Sequence, residues 1–127
     1  MREVIILKGL PASGKSMWAR KMVRAKNSNY IRVNKDDLRA MLHDSVWSKE
    51  SEKMILNIRD AIIMHALMNE KDVIVDDTNL NPKHEQSIRD LVGQLATIKI
   101  EDSFLNVSVS ECILRDKLRD PKAYVGE

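Results

Sequence analysis

The apolar run Val4-Ile5-Ile6-Leu7 is followed at once by Gly9-Leu-Pro-Ala-Ser-Gly14-Lys15-Ser16 and then by Met17-Trp18-Ala19-Arg20. G-x-x-x-x-G-K-S between a strand and a helix is the pattern of a loop that wraps a polyphosphate. The loop must curl its backbone N–H groups toward one anion, which asks for φ values that a Cβ opposes. Two of the four glycines in the chain sit in this motif. Lys15 brings a point charge to the outer phosphates, and Ser16 offers a hydroxyl to Mg²⁺. The helix that starts here adds its positive dipole end. The expected ligand is a nucleoside triphosphate.

A chain of 127 residues supports one domain, spanning 1–127, with a genuine core. Its 21 basic and 19 acidic residues leave a net charge of +2, so any site for a polyanion must be built locally. Aromatic residues make up 4%, too few for a surface of stacking platforms. A single cysteine, Cys112, excludes an internal disulfide framework and is expected as a small core residue. The chain opens without a signal-peptide pattern and holds no apolar stretch near ~20 residues. The expectation is a cytoplasmic protein with no membrane contact.

Element by element, Glu3–Lys8 reads as a central parallel strand and 14–26 as a helix. Tyr30–Val33 is a second strand, and Asn34 caps a helix from Lys35 to His43. Ser48 or Ser51 can cap a long helix to Asn69, with Met54, Ile55, Ile58, Ile62 and His65 on one stripe. Met54, Met64 and Met68 are expected as core filler, and Trp47 as a packing residue, with stacking on a nucleobase the alternative. Asp72–Asp76 is the third strand, Asn81-Pro82 opens a helix to Leu95, and 97–105 contains a fourth strand. Ser108 with Glu111 makes a capping box for a last helix through Arg119. The alternation specifies an α/β fold of the P-loop NTPase and kinase type. Its expected core is a four-stranded parallel sheet of order 2-3-1-4 with helices on both faces. Three polar loops, 9–16, 34–37 and 76–81, then meet at the carboxyl ends of the strands.

Within those loops, Asp36 is placed to accept a proton from an attacking hydroxyl, or simply to complement a helix dipole. Arg39, one turn on, is placed to anchor an anionic acceptor, or to stand in solvent. Asp76 and Asp77 end a buried strand, where a carboxylate needs a metal, an arginine or rim exposure. Arg115 and Arg119 share one face of the last helix and could meet the donor phosphates, or suit the helix dipole. The histidines at 43, 65 and 84 show no ligand spacing.

Gly9 to Arg20, Val33-Asn-Lys-Asp-Asp-Leu-Arg39 and Asp76-Asp-Thr-Asn-Leu-Asn-Pro82 together resemble the kinase domain of bacteriophage-type 5′-hydroxyl polynucleotide kinases. The resemblance runs in order through the chain to Arg115-Asp-Lys-Leu-Arg119. It implies that Gly9, Ala12, Ser13, Gly14, Lys15, Ser16 and Met17 hold ATP·Mg²⁺, with Ser16 as the Mg²⁺ ligand. It implies Asp36 as general base toward a 5′-OH, Arg39 on the acceptor phosphate and Asp77 orienting Arg39. Arg119, joined by Arg115, would reach the donor phosphates from a lid. The expected acceptor is the 5′-OH end of DNA or RNA. No Asp-x-Asp-Gly-Thr segment occurs, so 3′-end trimming is expected from a separate phosphatase and sealing from a separate ligase. Relatives carry a further helix where this sequence ends at Tyr124-Val-Gly-Glu127. That helix is expected to be absent, and any homo-oligomer contacts it makes with it. Two other readings stay open: a P-loop kinase for a nucleoside, sugar or antibiotic hydroxyl, and a nucleotide-gated switch. The switch lacks support from an Asn-Lys-x-Asp element, since Asn34-Lys-Asp-Asp37 follows strand two and carries an extra acid.

Overall fold

Strands and helices alternate through the computed structural model, which describes residues 2–106 and 114. In chain order they are β1 (Arg2–Leu7), α1 (Lys15–Arg24), β2 (Tyr30–Val33), α2 (Lys35–His43) and α3 (Lys49–Met68). They continue with β3 (Asp72–Val75), α4 (Pro82–Val92), β4 (Ala96–Glu101) and a 3-10 turn at Ser103–Asn106. All pairings are parallel and the sheet order is β2-β3-β1-β4, the order expected from the connection rules. Strand β1 lies at the centre, with Val4 opposite Val73 on one side and Ile98 on the other.

Because side chains alternate across a strand, β1 supplies both faces of the sheet. Val4 and Ile6 join Val33, Val73 and Val75 under α2, α3 and α4, through Leu38, Ile55, Ile63, Ile88 and Val92. Ile5, Leu7 and Ile74 face the other way, against Ala19 of α1, with Trp18, Met22 and Phe104 around them. Trp18 and Phe104 meet edge to face, with ring centroids 6.1 Å apart. Burial of such side chains at about 1.5–3 kcal/mol each makes the sheet a rigid base for the loops at its carboxyl edge.

The caps act as the sequence indicates. Asn34 accepts the N–H of Asp37 at 2.8 Å, and Asn81 accepts that of Lys83 ahead of a helix that begins with Pro82. Ser48, rather than Ser51, caps α3, and the two serines bond reciprocally at 3.0 Å. Helix α4 stops at Val92, three residues short of the expected Leu95, at Gly93 with φ 57°.

The apolar stripe of α3 differs from expectation. Its buried line is Ile55, Arg59, Ile63, Ala66 and Leu67, with Ile58 and Ile62 at its edge. Met54 and Met68 are exposed, as is His65, so those methionines are not core filler. Arg59, a charged residue, occupies a core position on that line. Trp47, expected to pack, is 69% exposed. The last helix, with Cys112, Arg115 and Arg119, lies outside the described residues.

Candidate active site

At the carboxyl edge of β1 the loop from Lys8 to Ser16 is tied to its neighbours by short bonds. The Gly9 N–H donates to the Thr78 carbonyl at 3.1 Å, and Ser13 N–H to Leu10 at 3.2 Å. Gly14 has φ +105°, a conformation that side chains resist, and caps α1. Gly9 is required for space instead: a Cβ there would lie 2.7 Å from the Cβ of Phe104 and 2.8 Å from Ser13 Oγ. Ala12 takes φ +63° without being glycine. Lys15 is 7% exposed and donates to the Leu10 carbonyl at 2.8 Å, curled back over its own loop. Ser13 Oγ is buried with no hydrogen-bond partner among the described residues. Met17 points away, 64% exposed.

Beyond β3 the chain builds the opposite wall. Asn79 is buried, and its side-chain amide donates to the carbonyl of Leu7 at 2.8 Å, which stitches this loop to β1. Asp76 is met by two donors on one oxygen: Ser16 Oγ at 2.8 Å and Arg32 Nε at 2.6 Å. Arg32 also donates to Asp37 at 2.7 Å, so Asp37 serves β2 rather than the cleft. Asp77 Oδ1 accepts the backbone N–H of Lys35 at 2.9 Å, which fixes the first turn of α2. Burial pushes the Asp77 carboxyl above its ordinary range, against the pull of that N–H and of the nearby Lys35 and Arg59.

Asp36 and Arg39 therefore stand on a helix whose start is pinned from two sides, by Asp77 and by the Asn34 side chain on the Asp76 carbonyl. The loop and the helix enclose a cleft of about 390 Å³ lined by Lys15, Ser16, Asp36, Arg39, Asp76 and Asp77, among others. Asp36 is 59% exposed and accepts Arg39 Nη1 at 2.6 Å. Sequence reasoning placed Asp77 on Arg39; the arginine is instead gripped by Glu52 of α3. Its Nε and Nη2 donate to the two carboxylate oxygens at 2.6 and 2.7 Å. Asp77 is occupied with the α2 backbone and has no bond to Arg39. Such a planar fork on a carboxylate fixes the guanidinium plane.

Glu52 and Arg32 are the site residues that sequence reading passed over, and the partners of Asp76 were left open. Asp76 carried a signal, a charge closing a buried strand, but its two partners come from β2 and α1. Glu52 carried none, being one of several acids near the start of α3.

The Arg39 fork holds Glu52 below the ordinary carboxylate range, the bond itself being the largest cause. A depressed carboxylate stabilises the fold above its unfolded value, near 4.5, and that gain disappears as pH falls through the lower folded value. The melting temperature of wild type is thus expected to exceed that of Glu52→Gln at pH 7. The gap should close as pH falls below 4.5 and through the lower folded value, as read by circular dichroism. A gap that is constant with pH would contradict the pairing.

Mg²⁺ fits these residues. Asp76 Oδ1 is buried and has no hydrogen-bond partner among the described residues, while its other oxygen touches the Ser16 hydroxyl. Among the described residues no three His, Cys, Asp or Glu side chains cluster for a metal. A small hard cation that takes a hydroxyl, one carboxylate and phosphate oxygens needs no such cage. Ser16 and Asp76 are the residues that would hold it.

No helix among the described residues is long and apolar enough to cross a membrane. A family model described as an AAA domain matches residues 4–124. The L-seryl-tRNA(Sec) kinase of Methanococcus maripaludis is 32% identical over 97 residues, 74% of this chain and 37% of that protein. Two structures of the Pnkp1/Rnl/Hen1 RNA repair complex match with TM-score 0.80 at 33% and 30% identity. They cover 90% and 97% of this chain, and 38% and 41% of theirs. The Mycobacterium tuberculosis APS kinase CysC, in complex with AMPPNP and APS, matches at TM-score 0.65 and 20% identity over 91% of this chain and 68% of its own. That last likeness is one of fold. The chain spans less than half the length of the seryl-tRNA kinase and of the Pnkp1-complex chains. On its sequence match and its sheet order, this chain belongs to the AAA domain family and has the fold of the P-loop kinases.

Proposed function

We propose that this domain transfers the γ-phosphate of ATP to the 5′-OH end of a DNA or RNA strand, as the resemblance to bacteriophage-type polynucleotide kinases implies. The observation that carries the reading is that Lys15 and Ser16 of the loop and Asp36 and Arg39 of α2 line one and the same cleft. A phosphate donor and a hydroxyl acceptor need to meet in one such space.

In this reading Lys15 and the loop amides bind the triphosphate. Ser16 and Asp76 are the residues that would hold Mg²⁺, which would supply positive charge against the phosphate oxygens. Asp36 orients the 5′-hydroxyl and takes its proton as the oxygen bonds to the γ-phosphorus. The bond from that phosphorus to the β–γ bridging oxygen breaks, and ADP leaves. Arg39 holds the acceptor phosphate, and Glu52 keeps the guanidinium in plane. Arg115 and Arg119 are proposed to close on the donor phosphates. The likeness to chains of the Pnkp1/Rnl/Hen1 RNA repair complex supports a role in nucleic-acid end repair.

The second reading, transfer to a different hydroxyl, is favoured by the 32% identity with L-seryl-tRNA(Sec) kinase. Arg39 separates the two. Arg39→Ala should lower kcat/KM for a 5′-OH oligonucleotide about 10–100-fold more than for a nucleoside without a 3′-phosphate, the worth of a charged hydrogen-bonded contact. Equal loss on both acceptors would remove Arg39 from the acceptor phosphate and favour the second reading.

A further inference from the structure

Lys35, the first residue of α2, lines the same cleft immediately before Asp36 and is only 9% exposed. Its backbone N–H is taken by Asp77, but its ammonium has neither a hydrogen bond nor an ion pair among the described residues. The charges it feels belong to the acceptor wall and the helix behind it: Asp77 and Glu52 favour the ammonium, while Arg59 and Arg39 oppose it. Burial is the largest influence and holds Lys35 below the ordinary lysine range. Arg59 of α3 is 1% exposed, bonds its sequence neighbour Asp60 at 2.8 Å, and has Nη1 buried without a partner among the described residues. On the cleft lining, Lys35 is thus the cation of α2 that no carboxylate bonds among the described residues, whereas Arg39 is matched by Glu52 and Asp36.

Lys35 is largely buried yet lines the open cleft, and an anion brought in by a ligand would offset the cost of that partial burial. Arg39, on the acceptor phosphate in the proposed reaction, is held in one orientation through Nε, Nη1 and Nη2 by Glu52 and Asp36. Lys35 is not committed in this way, and an ammonium on a flexible stem accepts a phosphate from many directions. Lys15 already serves the donor wall, whereas Lys35 shares its helix with Asp36.

We propose that Lys35 is an anion-binding residue of the acceptor half of the cleft, taking a phosphomonoester or phosphodiester that neighbours the reacting hydroxyl. The proposal deepens the polynucleotide reading and rests on it. It makes a neutral sugar or nucleoside a poor acceptor and a nucleotide bearing a 3′-phosphate a good one.

The test is calorimetric binding of adenosine 3′-monophosphate to the full chain with ADP·Mg²⁺ filling the donor site. Lys35→Met should weaken that binding at least about tenfold, as expected for loss of a charged contact, and Lys35→Arg should recover most of it. Binding of ADP should move less than about threefold, because the donor contacts are elsewhere. Should the methionine variant fail to fold by circular dichroism, Lys35→Gln carries the same comparison. Equal affinity in wild type and folded variant overturns the proposal. So does a loss of ADP binding as large as the loss of adenosine 3′-monophosphate. If wild type binds adenosine 3′-monophosphate through Lys35 but phosphorylates no 5′-OH strand, the anion site stands and the polynucleotide kinase reading falls.

Discussion

Asp36→Asn is expected to lower phosphate transfer to a 5′-OH oligonucleotide by about 10²–10⁴-fold, the range for loss of a positioned general base. ATP affinity should move by less than about threefold, since no triphosphate contact is removed. Asparagine is the informative replacement because it keeps an Oδ1 that can accept Arg39 Nη1, as Asp36 does at 2.6 Å. The Arg39–Glu52 fork is then left in place, and the loss reports on the carboxylate itself. Removing an acid from the first turn of α2 also weakens its dipole match, at a cost of about 0.3–1 kcal/mol in stability. Single-turnover transfer and equilibrium nucleotide binding, measured on the same preparation, check both halves. Retention of transfer would leave Asp36 as a helix-terminal acid with no chemical role.

Lys15→Ala is expected to behave differently, lowering ATP affinity and transfer together, with transfer falling about 10²–10³-fold. The ammonium is enclosed by its own loop and bonded to the Leu10 carbonyl, so triphosphate binding must redirect it. Its loss removes a charge from the donor wall and leaves the Asp36–Arg39–Glu52 chain intact. The pair of variants therefore divides the cleft: one wall binds the donor, the other prepares the acceptor. A variant at position 36 that weakened ATP as much as the variant at position 15 would contradict that division.

Much of the frame was legible because local chemistry and chain connection agree. An apolar run, a glycine loop and a capped helix recur at intervals that allow only right-handed parallel crossovers, so the sheet order follows. Asn34 and Asn81 announced their helices by residue type alone. Gly14 was legible for its backbone, whereas Gly9 matters for the side of Phe104, a residue ~95 positions away that no local pattern connects to it. Ala12 shows that positive φ was not a reliable guide within the loop.

What stayed hidden was the choice of partners among charged groups. Asp76 could have met a metal, an arginine or water; Arg32, two strand positions before the Asn34 cap, takes one oxygen, and the other has no partner among the described residues. Arg39 had many acids within reach in sequence, and only the packing of α3 beside α2 selects Glu52 over Asp77. Arg59 reads as an exposed helical arginine, yet it lies in the core. Periodicity assumes that charges face water, and it fails where a buried site needs one.

The account rests on two walls of one cleft exchanging a phosphate between them. Incubation of the full chain with γ-labelled ATP, Mg²⁺ and equal amounts of 5′-OH DNA, 5′-OH RNA, nucleosides and sugars measures this directly. Label should appear on the 5′ ends of strands, with little on free nucleosides or sugars, and should vanish in Asp36→Asn. Label confined to small hydroxyl compounds, or ATP consumption that no acceptor accelerates, would contradict it.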